Sequence, residues 1–156
     1  MNFNDQIKNN NVDFGDMPPQ AFFLGLLSAF ENRYQAVADK FFLEVTWKQF
    51  FAIICINLCK ENPTLNELSD VMGSSHQNVK QILLKLEKIG FVETRQDVLD
   101  KRKQRIYLTE KCMQFCEKYD NASQVIIGKL FNGIDEDSLI ITVQTIMKIE
   151  ENLKSL

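Results

Sequence analysis

Between Thr46 and Thr109 the chain is punctuated so densely that few folds can accommodate it. Thr46-x-x-Gln49 and Thr64-x-x-Glu67 are both capping boxes, in which hydroxyl and side-chain oxygen each satisfy an orphan amide at a helix start. The first opens a helix with an apolar face of Trp47, Phe50, Phe51, Ile54, Cys55 and Leu58, widened by Ile53 and Ile56. Asn62-Pro63 ends it. The second opens a short helix with Leu65, Leu68, Val71 and Met72 inward, closed by Gly73. Ser75 caps a further helix over about 75–89, and Gly90 is its C′ stop. Residues 91–95 and 105–109 then read as two strands by β-propensity and partial alternation, joined by a charged tip without glycine.

Helix, short helix, helix and two-stranded hairpin, in that order, is the layout of a winged helix-turn-helix. The 75–89 helix places Val79, Ile82, Leu83, Leu86 and Ile89 on one narrow face and Gln77, Lys80, Gln81, Leu84, Lys85 and Lys88 on the other. A helix with an apolar back and a polar, basic front can lie in the major groove and offer donors to base edges. The hairpin tip can reach the neighbouring backbone or the minor groove, where negative potential favours arginine.

A formal net charge of −3 looks unsuited to nucleic acid, but the average hides an asymmetry. Between Lys80 and Lys111 there are nine Lys and Arg against five Asp and Glu, a local +4 that leaves −7 for the rest. Phosphate needs a basic face, not a basic protein. A length of 156 residues suits a single domain over 18–156 with a real core, and 45% hydrophobic with 25% charged residues is ordinary for a globular chain. The longest apolar stretch, residues 21–27, is too short to cross a membrane, and the N-terminus lacks the features of a signal peptide, so a cytoplasmic location is expected.

The flanks are helical. Residues 1–17 are polar and Asn-rich and are expected to form a mobile arm. After Pro18-Pro19, Phe23, Leu27, Phe30, Tyr34, Val37 and Phe41 follow each other at steps of four and three, the stripe of a helix that packs on another helix. A helix from about Glu110 to Phe131 follows the hairpin. The last, capped by Asp135, carries Leu139, Val143, Ile146, Met147 and Leu153 on one face. The expected fold is therefore mainly α with a small β-hairpin wing: a lobe over 46–109 flanked by dimerisation helices over 18–43 and 110–156.

The residues that carry these signals resemble a family. Thr64-Leu65-Asn66-Glu67-Leu68-Ser69-Asp70-Val71-Met72-Gly73, then Ser75-x-x-Asn78-Val79, Leu86-Glu87-Lys88-x-Gly90-Phe91-Val92, Asp100-x-Arg102 and Leu108-Thr109-Glu110-Lys111 resemble MarR-type (multiple antibiotic resistance) winged-helix regulators. The likeness is densest over about 46–112 and implies a homodimer binding a palindromic operator. It implies that Arg102 enters the minor groove and that Asp100 braces the wing through ion pairs. Departures touch the operator and the wing: Asn78-Val79-Lys80-Gln81 replaces the usual Thr-Val-Ser-Arg, Asp97-Val98 the usual Asp-Pro, and Cys112 a usual glycine.

Gln77, Asn78 and Gln81 are the candidates for base edges, since amides pair bidentately with adenine. His76, Lys80, Lys85 and Lys88 are placed to touch phosphates, the capping Ser75 belongs to the same DNA-binding surface, and Lys101, Arg102, Lys103 and Arg105 supply the basic wing. Leu84, apolar on a polar front, is expected to pack beneath the wing, with a thymine methyl as the other option.

The remaining motifs are weaker. Cys55, Cys59, Cys112 and Cys116 form two i, i+4 pairs within apolar stripes, which suits core packing better than a redox sensor. With His76 the single histidine, no metal site, no cofactor and no catalytic constellation is expected, and an enzyme is not the reading. The aromatic crowd in the first two helices serves core and dimer. The resemblance adds a small aromatic or phenolic effector, for which Arg33, Tyr34 and Trp47 could supply counter-charge and stacking. The leading expectation is a repressor that the effector releases from double-stranded DNA. The competing ones are a winged-helix protein–protein adaptor and a cysteine-based redox-sensing regulator.

Overall fold

The structure is a computed structural model and describes residues 15–156; most of the expected N-terminal arm, residues 1–14, lies outside the described residues. Two compact units divide at Thr109. In the first, α1 (Pro19–Phe41), α2 (Trp47–Leu58), α3 (Leu65–Met72) and α4 (His76–Lys88) precede β1 (Val92–Gln96) and β2 (Gln104–Leu108). The second holds α5 (Glu110–Leu130) and α6 (Glu136–Leu153).

Helix starts follow the capping chemistry. Both expected boxes are closed: Thr46 accepts from the Gln49 amide while Gln49 Oε1 accepts from the Thr46 amide at 2.8 Å, and Thr64 and Glu67 repeat the exchange at 2.7 Å for the return bond. Ser75 accepts from the Asn78 amide, and Asp135 from the Ser138 amide at 2.9 Å. Helix α4 ends on a Schellman motif, with the Phe91 amide donating to the Leu86 carbonyl and the Gly90 amide to that of Glu87. Gly90 sits at φ 76°, a left-handed conformation that a side chain would strain.

The core of the first unit lies where α2, α3, α4 and the hairpin meet. Ala52, Ile53, Cys55 and Ile56 of α2, Leu68 of α3, Val79, Ile82, Leu83 and Leu86 of α4, and Phe91, Val92 and Ile106 are buried. Two details of the expected core shift. The buried face of α2 is centred on Ile53 and Ile56, which had seemed only to widen it, and Leu58 is exposed. On α3 Val71 is exposed and Ser69 is buried in its place, its hydroxyl donating back to the Leu65 carbonyl at 2.7 Å. A serine that satisfies itself within its own helix can enter a core without an orphaned polar atom.

The hairpin pairs antiparallel, Val92 opposite Leu108 and Gln96 opposite Gln104, one residue later at its start and earlier at its end than the sequence suggested. It is fastened to the helices by its backbone: the Ile106 amide donates to the Pro63 carbonyl at 2.9 Å. Thr109 closes the lobe, its hydroxyl donating to the Gly90 carbonyl at 2.7 Å.

In the second unit Cys112, Phe115 and Tyr119 of α5 are buried, whereas α6 has no buried residue at all. No helix among the described residues is long and apolar enough to cross a membrane.

Candidate nucleic-acid interface

Helix α4 presents its faces as the spacing required. Its apolar back is buried, and His76, Gln77, Asn78, Lys80, Gln81, Lys85 and Lys88 are all exposed, as is the capping Ser75. The capped N-terminus aims backbone amides outward, and Lys85 and Lys88 in the last turn complement the negative end of the helix dipole. Asn78 has already spent one amide hydrogen on Ser74 Oγ at 2.8 Å, which fixes its rotamer and leaves its oxygen and second hydrogen for a base edge. Leu84 is 48% exposed on the same front, which leaves about half of its surface open to a thymine methyl.

The wing is held to that helix. Thr94 of β1 donates its hydroxyl to the Glu87 carboxylate of α4 at 2.6 Å. Residues 97–103 form a glycine-free loop around Asp97. Its Oδ1 accepts from the amides of Leu99 and Asp100 at 2.7 and 2.9 Å, and its Oδ2 takes Arg105 Nε at 2.6 Å. Donation by Arg105 first, and by the two amides second, brings the Asp97 carboxyl down to about 2. Arg105 continues the chain of contacts inward: Nη1 donates to the Asn62 carbonyl at 2.9 Å and lies 3.5 Å from Glu67. One guanidinium thus ties the wing tip, the α2–α3 turn and the first turn of α3 together.

These contacts separate the expected basic cluster into two kinds of residue. The Arg105 side chain is only 18% exposed and is committed to Asp97, Asn62, Glu61 and Glu67. Arg102 is 91% exposed and bonded only to its neighbour Asp100, and Lys101 and Lys103 are exposed beside it. Asp100 accepts from both the amide and Nε of Arg102 at 3.1 Å, and the Arg102 side chain is the main reason its carboxyl sits below the ordinary range. Asp97 has the larger part in holding the wing, through partners that all lie within eight residues of it.

The three effector candidates lie on α1 and at the start of α2. Tyr34 meets Trp47 edge to face with ring centres 4.7 Å apart and stacks on Phe30 at 5.9 Å, and burial raises its hydroxyl above the usual phenol value. The Trp47 amide donates to Asp39 Oδ1, and Arg33 is exposed. All four cysteines are free thiols. Cys59 donates to the Cys55 carbonyl at 3.2 Å, and burial pushes the Cys55 thiol up. On α5 the Cys112 thiol, itself pushed up, hydrogen-bonds Cys116 and lowers the latter to about 7. Among the described residues no group of three or more His, Cys, Asp or Glu is placed to hold a metal ion.

The sequence model of the MarR family matches residues 45–103, from the buried Val45 to the end of the wing tip. The fold resembles a MarR/EmrR family transcriptional regulator from Acinetobacter sp. ADP1, with 15% identity, a TM-score of 0.80, and 90% of this chain and 100% of that one covered. It also resembles Staphylococcus aureus MepR, solved as a DNA complex, with 16% identity, a TM-score of 0.74 and 84% and 97% covered. Bordetella bronchiseptica BpsR, whose DNA binding is regulated by 6-hydroxynicotinic acid, is similar at 17% identity and a TM-score of 0.68, with 81% and 96% covered.

Proposed function

We propose that this chain, a MarR-family winged-helix protein through residues 45–103, is a DNA-binding transcriptional regulator. It binds a palindromic operator as a homodimer, represses, and is released by a small aromatic effector. The observation that carries the reading is the joining of two exposed basic elements in one lobe. The outward face of α4 and the Arg102 tip are held in fixed relation by the Thr94–Glu87 bond and the Arg105 contacts. Gln77, Asn78 and Gln81 read bases, Lys80, Lys85 and Lys88 meet phosphates, and Arg102 enters the minor groove with Lys101 and Lys103 flanking it. Arg105 contributes through the position of the wing.

The similarity to MepR bound to DNA supports the duplex as partner. That BpsR responds to 6-hydroxynicotinic acid, an aromatic acid, favours the same chemistry for the Tyr34–Trp47 corner, with Arg33 as counter-charge. Such an effector acts by favouring a lobe spacing that no longer matches one helical turn of DNA. Binding of a duplex from the protein's own upstream region, titrated over salt, tests the core of the reading. Affinity should fall steeply as salt rises, and Arg102→Glu should weaken it further. Retention of no duplex at low salt would replace this reading with the protein–protein adaptor.

Cys116 supports a second branch of regulation. The hydrogen bond from Cys112 holds the Cys116 thiol below its ordinary value, which favours the thiolate, the nucleophile that peroxide oxidises to a sulfenic acid with hydroxide leaving. Peroxide should then weaken duplex binding by the wild type and leave Cys116→Ser unchanged; an equal response in both sinks this branch.

A further inference from the structure

The outermost part of the wing is apolar. Val98 and Leu99 are 90% and 97% exposed at its tip, between Asp97 and Asp100 and directly before the exposed cations Lys101, Arg102 and Lys103, which an anionic partner would attract. A flexible loop would let such side chains fold back on the protein, but this loop is not free to do so. The Asp97 amide donates to the Lys103 carbonyl at 3.0 Å and the Lys103 amide to that of Asp100 at 2.9 Å. Gln96 Nε2 reaches the Lys101 carbonyl at 2.6 Å, and Asp97 Oδ1 holds the Leu99 and Asp100 amides. Asp97 is in turn fixed by Arg105 to the turn between α2 and α3. The loop backbone, Gln96 and Asp97 therefore hold one another, while the two apolar side chains stand in water beside the exposed Lys101, Arg102 and Lys103.

Exposing two such side chains on an ordered loop forgoes hydrophobic stabilisation that only a partner can restore. Resting on the DNA-binding reading above, we propose that Val98 and Leu99 are an apolar wedge that enters the minor groove beside Arg102 and packs against a partly unstacked base step. The chemistry suits that occupant. Apolar side chains inserted between base steps kink a duplex toward the major groove, and Lys101, Arg102 and Lys103 carry the charge that draws the tip to the phosphates on either side. The wedge reads deformability, so it favours flexible pyrimidine–purine steps under the wing at positions that no hydrogen bond inspects.

The test uses the full chain and the upstream duplex that the wild type retains at low salt. The Val98→Ser, Leu99→Ser double variant should lose about tenfold in affinity with an unchanged dependence on salt, because it removes contact area and no charge. Arg102→Ala should instead reduce the salt slope by about one. Leu99→Met, which keeps an apolar tip, should restore most of what Leu99→Ser loses. Duplex affinity in the double variant equal to that of the wild type would overturn the wedge, and loss of self-association in its place would assign the pair to a second copy of the chain. If the wild type binds no duplex, the DNA reading itself falls, which is a different result from a wild type that binds and a variant that binds equally well.

Discussion

The winged lobe and the helices on either side of it solve the problem of apolar surface in opposite ways. In the lobe the apolar back of α4 is sealed inside one chain, with Val79 and Leu86 wholly buried against neighbouring elements. Helix α6 has no buried residue, and Ile140, Ile141, Val143, Met147 and Leu153 are exposed along it; α1 likewise buries none and exposes Leu24, Leu26, Leu27, Phe30 and Val37. An amphipathic helix owes most of its stability to packing its apolar face. The lobe has that packing within one chain, and α1 and α6 need more than one chain gives them. A second copy of the protein is the partner that the proposed dimer supplies.

The largest effects should come from the sealed side. Leu86→Ala removes a fully buried side chain from the centre of the lobe and should cost about 2–5 kcal/mol in urea unfolding. That loss should be the same at every protein concentration. The open side should behave differently. Ile141 is 63% exposed, so Ile141→Glu should change the stability of a single chain by no more than about 0.5 kcal/mol. If a second copy covers α6, the same change should turn a dimer into a monomer in sedimentation and abolish the rise of the melting temperature with concentration. A wild type that sediments as a monomer, or an Ile141→Glu protein that still pairs, would break the comparison by leaving the exposed face without its partner.

The cap of α3 should weigh less than the buried Leu86. Thr64→Ala removes the oxygen that accepts from the Glu67 amide and should cost about 1 kcal/mol. Glu67 also holds the Thr64 amide and lies against Arg105. Loosening the cap therefore disturbs the anchor of the wing, and duplex affinity should fall together with stability. A variant that loses stability yet binds DNA as the wild type does would show that the α3 cap and the wing are independent.

What could be read from the sequence follows the range of the interactions. Both capping boxes, the Ser75 and Asp135 caps and the α4 stop depend on residues within a few positions of each other, and all are present as expected. The two faces of α4 were equally legible, because period 3.6 separates Leu83 and Leu86 from Lys80 and Gln81 without knowledge of the rest. The α2 face was displaced toward Ile53 and Ile56 because an almost wholly apolar helix has no moment strong enough to fix its orientation; its neighbours decide. Arg105 reads in the sequence as one cation among four in a basic run. Its partners Asn62 and Glu67 lie 43 and 38 residues earlier, and no local pattern reaches that far.

The finest prediction concerns the fastening of the wing and its response to acid. The Asp97 carboxyl stands at about 2 in the folded wing, first because of Arg105 and then because of the Asp100 and Leu99 amides, against about 3.9 for a free aspartate. A carboxyl whose folded value is depressed lends its stabilisation fully above its unfolded value and loses it as pH falls through the folded one. The advantage of wild type over Asp97→Asn should accordingly be constant above about pH 4 and shrink between pH 4 and 2. Asparagine can still accept from the two amides but brings no charge to Arg105, so the difference isolates the ion pair rather than the turn. Unfolding both proteins in urea across pH 2–6 measures it. A gap between the two that is flat over the whole range would mean that the amides alone shape the tip and that the Arg105 charge does not reach Asp97.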